Sequence, residues 1–123
     1  DMGFKIKVVG YDRKFAEEFV LLMTKAGFRV EDTPQLYVYK SQGFRRIEAK
    51  VKRKEFYYLG SDAFEYCTGN VKAISGVDDV VKYDKVHDNL RIDLFDATVF
   101  SCMQMLKHLA KSDVASRWLK GGE

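Results

Sequence analysis

Apolar and charged positions alternate along residues 44–58. Ile47, Ala49, Val51, Tyr57 and Leu59 share one parity, while Arg46, Glu48, Lys50, Lys52 and Lys54 share the other. Successive side chains of a strand point to opposite faces, so the pattern predicts a strand with one greasy and one cationic face. Its parity breaks near Arg53-Lys54, where a bulge is expected. Upstream, 36–40 reads as a second strand and Ser41-Gln42-Gly43 as a short hairpin loop, which makes 36–58 a basic hairpin.

The same reasoning covers the rest of the chain. Phe4, Ile6 and Val8 alternate with Lys5 and Lys7, predicting a strand over 3–9. Phe15, Phe19, Leu22, Met23 and Ala26 recur at helical spacing, so 13–26 is a helix with Asp12 as its cap and Gly27 as its stop. Asp62 and Glu65 have the spacing of a capping box and open a helix over 63–74, with a break expected at Gly69. Val77, Val80, Val81 and Tyr83 form a strand, and Leu90, Ile92 and Leu94 another. Asp96 caps a last long helix whose wide apolar side holds Val99, Phe100, Cys102, Met103, Leu106, Leu109 and Ala110. Ser101, Gln104, His108 and Lys111 form its narrow polar stripe. Ser112-Asp113 starts a short tail helix.

This order, β-α-β-β-α-β-β-α, predicts an α+β fold: a ferredoxin-like antiparallel sheet with helices on one face and an added C-terminal helix. Residues 2–120 make one domain and 121–123 a disordered tail. Two passages add a resemblance. Ile6-Lys7-Val8-Val9-Gly10-Tyr11-Asp12-Arg13, followed by Lys25-Ala26-Gly27-Phe28-Arg29-Val30-Glu31-Asp32, resembles the opening of ACT-type regulatory domains. That resemblance implies a ferredoxin-like module that binds amino acids. Ile74-Ser75-Gly76-Val77-Asp78-Asp79-Val80 with Leu90-Arg91-Ile92-Asp93-Leu94 is similar to helix-to-hairpin passages of ferredoxin-like proteins.

Charge sharpens the picture. The formal net charge is only +3, yet residues 1–60 carry 13 Lys and Arg against 8 Asp and Glu, and residues 61–96 carry 4 against 8. An oriented encounter with a charged partner, or self-association as a homodimer, fits such a split. No apolar run approaches the roughly 20 residues of a membrane helix. There is no secretory-type leader, and Cys67 and Cys102 read as free thiols, so a cytoplasmic location is expected.

Candidate chemistry is sparse. His87, in Asp84-Lys85-Val86-His87-Asp88, sits in a turn-like segment whose spacing matches no metal loop. Cys102 and His108 are six residues apart, about 600° around a helix, and do not form a dyad. Paired-carboxylate spacing and phosphate-cradling glycine loops are absent. The expectation is a non-enzymatic binding module with no cofactor and no metal. Its basic hairpin would present Arg46, Lys50, Lys52, Arg53 and Lys54, with Tyr37, Tyr39, Phe56 and Tyr58 alongside, to an anionic partner. Nucleic acid is favoured, because cations neutralise phosphates and aromatics stack on bases. Two readings remain open beside it: a small protein-binding regulator or inhibitor of viral or mobile-element type using the same hairpin, and an ACT-like small-ligand sensor.

Overall fold

A computed structural model describes residues 3–14 and 16–119. The element order is β1 (Val9–Tyr11), α1 (Glu17–Lys25), β2 (Val30–Asp32), α2 (Tyr37–Lys52), α3 (Asp62–Gly69), β3 (Val71–Ser75), a single 3-10 turn (Val77–Asp79), β4 (Val81–Lys85) and α4 (Asp93–Leu119). The strands make two separate two-stranded sheets. β1 and β2 are parallel, with Gly10 opposite Glu31; β3 and β4 are antiparallel, with Ala73 opposite Tyr83. The single antiparallel ferredoxin-like sheet is therefore not the architecture.

The largest correction concerns 36–58. Tyr37–Lys52 is a helix, with Ser41-Gln42-Gly43 inside it rather than at a hairpin turn. Phe44 and Ile47 are three residues apart, and both are buried against α4, a spacing only a helix satisfies. Arg, Glu, Ala and Lys, which fill 45–54, are good helix formers, and β-branched residues are few there. Descriptions built on a basic hairpin, nucleic-acid binding through a sheet face and a viral-type inhibitor, lose their structural premise, because no such face exists.

Other boundaries shift for local reasons. Phe4 and Ile6 lie exposed outside β1. α1 begins at Glu17 behind Ala16, and Asp12 instead accepts the Lys14 N–H at 3.0 Å in a local turn. Phe15 lies outside the described residues. Gly27 is the expected stop: at φ 90° it ends α1, with the Phe28 N–H on the Met23 carbonyl and the Gly27 N–H on the Thr24 carbonyl. α3 is capped by Ser61, whose Oγ accepts the Phe64 N–H, one residue before the expected Asp62. It ends at Gly69, where the break was expected, and 71–75 is strand. Leu90–Leu94 is not a strand. Ile92 and Phe95 both enter the core three residues apart, and α4 starts between them at Asp93. That helix runs on to Leu119 without a second start at Ser112, and 121–123 lie outside the described residues.

The core sits between α2, α3, β4 and α4: Phe44, Ile47, Cys67, Tyr83, Ile92, Phe95 and Val99. Phe44 stacks on Tyr83 with ring centres 5.5 Å apart, and Phe95 meets both edge-on. α2 lies close to α4 because Gly43 has no side chain: a Cβ there would fall 3.0 Å from the Val99 carbonyl oxygen. A polar tie closes the same contact. Asp96 takes the Tyr83 hydroxyl and pairs with the Lys40 ammonium at 3.3 Å, so it does not cap α4. Lys40 also lies 4.8 Å from the Tyr83 ring centre and 5.5 Å from that of Phe100, a cation over aromatic faces. Burial, and then the Asp96 bond, push the Tyr83 phenol far above its ordinary range.

Candidate interaction groove

One face of α4 is buried in the core, another meets the β1–β2 side through Gln104, and the stripe between them is uncovered. Ile92, Phe95, Val99, Cys102 and Met103 turn toward the core. Leu94, Thr98, Ser101, Met105 and Leu109 follow one another at three- and four-residue steps, with Ala97 beside Thr98, which puts them in one stripe. Leu94, Met105 and Leu109 remain between 43% and 47% exposed.

Two walls flank the stripe. The first is the segment that leaves α2. Lys54 adopts φ 59° there, while the Glu55 N–H bonds to the Lys50 carbonyl and the Lys54 N–H to that of Val51, which reverses the chain. The Lys50 ammonium holds Glu55 at 2.6 Å and keeps its carboxyl below the usual range. Phe56 stacks on Phe64, Tyr58 packs against Phe64 at 5.1 Å, and the Tyr58 hydroxyl donates to Glu65 at 2.6 Å. Those anchors leave Tyr57 85% and Leu59 87% exposed on the rim. The second wall is 6–10, fixed to β2 by the Val9 N–H on the Arg29 carbonyl at 2.8 Å.

Three cavities follow this line. One of about 640 Å³ lies between Phe56–Leu59 and Leu94. Another, about 440 Å³, has Arg46, Lys50 and Cys102 in its wall. The third, about 580 Å³, separates Ile6–Gly10 from Gln104, Met105 and His108. All three share Ser101.

Of the residues singled out by sequence, the structure brings Arg46, Lys50, Phe56 and Tyr58 to this groove. Lys52 turns away and pairs with Glu48 at 3.5 Å. Arg53 caps the helix and Lys54 makes its exit turn. Tyr37 stands at the opposite end of α2, about 22 Å away by helix rise, beneath the Lys82 ammonium, and Tyr39 is exposed nearby. The nine residues therefore do not form one surface. Ala97 and Met105 were not singled out, and Ser101 and Leu109 were placed only on the polar stripe and apolar side of the last helix, although all four recur at four-residue steps. Gln104, expected on a polar stripe, is only 4% exposed.

No reactive centre accompanies the groove among the described residues. Burial pushes the Cys102 thiol above its ordinary value, and Arg46 only partly offsets this, so the reactive thiolate is disfavoured. No three His, Cys, Asp or Glu side chains among those residues are placed to share a metal ion, and no helix there is long and apolar enough to cross a membrane. In comparisons with known proteins, no family model, no curated protein and no solved structure matches this chain.

Proposed function

We propose that this chain is a non-enzymatic protein-binding module whose α4 groove receives an amphipathic helix with acidic flanks from another protein. The observation that carries this reading is the uncovered apolar stripe on α4: Leu94, Met105 and Leu109 remain between 43% and 47% exposed, and Tyr57 and Leu59 stand bare on its rim.

Shape and charge support this occupant. From Leu94 to Leu109 the stripe is about 22 Å long, four helical turns, and it is walled on both sides. Around it, Lys50 is already paired with Glu55, while Arg46 and Lys7 have no carboxylate within ion-pair distance among the described residues. A second copy would add its own Arg46 and Lys7 to this rim; an acidic helix complements it. The free thiols of Cys67 and Cys102 support a reducing compartment such as the cytoplasm.

The test is fluorescence anisotropy with designed helical peptides of about 18 residues, one leucine face, and either Glu or Lys flanks. The Glu-flanked peptide is expected to bind at least tenfold more tightly, and Ser101→Arg to weaken it at least tenfold. Equal binding of both peptides, untouched by Ser101→Arg, would refute the reading. A stable dimer in sedimentation that Ser101→Arg breaks, with no peptide bound to the wild-type chain, would assign the groove to a second copy instead.

A further inference from the structure

β3 is an open sheet edge. It pairs only with β4, and Lys72 to Ser75 are exposed. The register fixes which of its backbone groups are used. The Gly76 N–H bonds to the Val80 carbonyl at 2.7 Å and the Val86 N–H to the Asn70 carbonyl at 2.8 Å, which makes 70, 72, 74 and 76 the hydrogen-bonded positions. Bonded and non-bonded pairs alternate along an antiparallel ladder. Lys72 and Ile74 therefore bond to β4, while the N–H and C=O groups of Val71, Ala73 and Ser75 point the other way. Those outward groups have no hydrogen-bond partner among the described residues. Natural edges are blunted by proline, a bulge or a covering segment. β3 has no proline, and its pairing with β4 runs from Val71 to Ser75 without a bulge.

The occupant follows from the strand's own symmetry. Set antiparallel against a second copy with Ala73 opposite Ala73, each Val71 meets the other copy's Ser75, and every outward N–H and C=O finds a partner. On the solvent face each Lys72 keeps Asp84 opposite it on β4 and gains the other copy's exposed Ile74, which its methylene stem can cover. On the core face only alanine stands at the two-fold axis. Moving the axis to Lys72 would set lysine against lysine, and moving it to Ile74 would leave Val71 unpaired. We propose that this chain forms a two-fold homodimer through β3, which joins the two hairpins into one four-stranded antiparallel sheet. A two-stranded sheet is marginal in water and gains from such an extension. No residue of β3 or β4 lines the three groove cavities, so this interface lies apart from the α4 groove. The inference goes beyond helix docking and does not need it.

Sedimentation equilibrium of the full chain and two charge variants decides it. Ile74→Lys sets lysine opposite the other copy's Lys72 on both sides of the axis, and is expected to weaken the dimer at least threefold. Ile74→Glu sets a carboxylate there instead and is expected to tighten it at least threefold. Position 74 is exposed and outside the core, so neither change removes a core contact. Ala73→Pro deletes an N–H that β4 does not use and places a ring on the free edge, and is expected to leave the chain monomeric. Should that variant fail to fold, the Ile74 pair still decides. In a mixture of labelled and unlabelled chains, an isotope-filtered NOE between the Lys72 and Ile74 α-protons is expected, because a non-bonded antiparallel pair brings its Cα atoms to about 4.5 Å. A monomer at the highest soluble concentration would overturn the inference and leave the edge to an extended segment of another protein. A dimer that both Ile74 variants shift in the same direction, or one that Ser101→Arg breaks while position 74 has no effect, would overturn it as well. A β3 dimer that binds no Glu-flanked peptide would sink helix docking while leaving this interface standing.

Discussion

Gly43→Ala puts two opposing terms in competition at the α2–α4 contact. In mid-helix, alanine is favoured over glycine by about 1 kcal/mol. Against this, the new Cβ would meet the Met103 Cγ at 2.8 Å, the Val99 carbonyl oxygen at 3.0 Å and the Val99 Cγ1 at 3.3 Å. Met103 can swing aside, but the Val99 carbonyl belongs to the backbone of α4, and Val99 is fully buried. Overpacking at such a place costs about 1–3 kcal/mol. Packing therefore wins, and the net effect is a loss of about 1 kcal/mol. With a urea slope of about 2 kcal/mol/M, the midpoint should fall by about 0.5 M. Gly69→Ala is the control. It ends α3 with nothing within 4 Å of its new Cβ, so only propensity acts, and the midpoint should rise by about 0.2–0.4 M. If Gly43→Ala stabilised the chain as Gly69→Ala does, the close approach of α2 to α4 would be wrong.

Three further outcomes are expected. Tyr83→Phe deletes the hydroxyl that Asp96 accepts and should cost about 1–2 kcal/mol in urea unfolding; no loss would mean that Lys40 alone satisfies Asp96. Glu31 is held below its ordinary 4.5 chiefly by the Lys107 ammonium at 2.8 Å, with Arg29 and His108 adding. A lowered folded value contributes stability above the unfolded value and loses it as pH falls through the folded one. Glu31→Gln should thus lower Tm at neutral pH and flatten its decline below about pH 4.5, and an unchanged acid limb would count against the pairing. Lys54→Gly relieves a left-handed residue at the exit of α2 and should stabilise by about 0.5–1 kcal/mol, read as a higher Tm.

Part of this architecture was legible because local signals agreed. Gly27 ends α1 where helical spacing stops, and Gly69 breaks α3 where a glycine interrupts a capped segment. α2 was misread because Ile47 and Val51, four apart, satisfy both a period of two and one of 3.6. The decisive pair was Phe44 and Ile47, three apart, together with a run of strong helix formers. Leu90, Ile92 and Leu94 misled in the same way; the Ile92–Phe95 spacing was the better witness. Arg46, Lys50 and Phe56 were assigned to a strand face, so their neighbours on α4 stayed hidden. Which side of α4 is covered was not legible at all, because apolar residues occupy both sides of that helix and only α2, α3 and β4 decide which is buried.

Under the proposed function, an acidic amphipathic helix docks on the outer face of α4. Methyl NMR of 13C-methionine-labelled protein tests it most directly, since Met105 is 46% exposed in the groove while Met103 packs against the core. During titration with the Glu-flanked peptide, the Met105 methyl should shift and saturate at the concentration where anisotropy saturates, with Met103 nearly still. A Met105 signal that stays in place while the peptide binds would contradict the account.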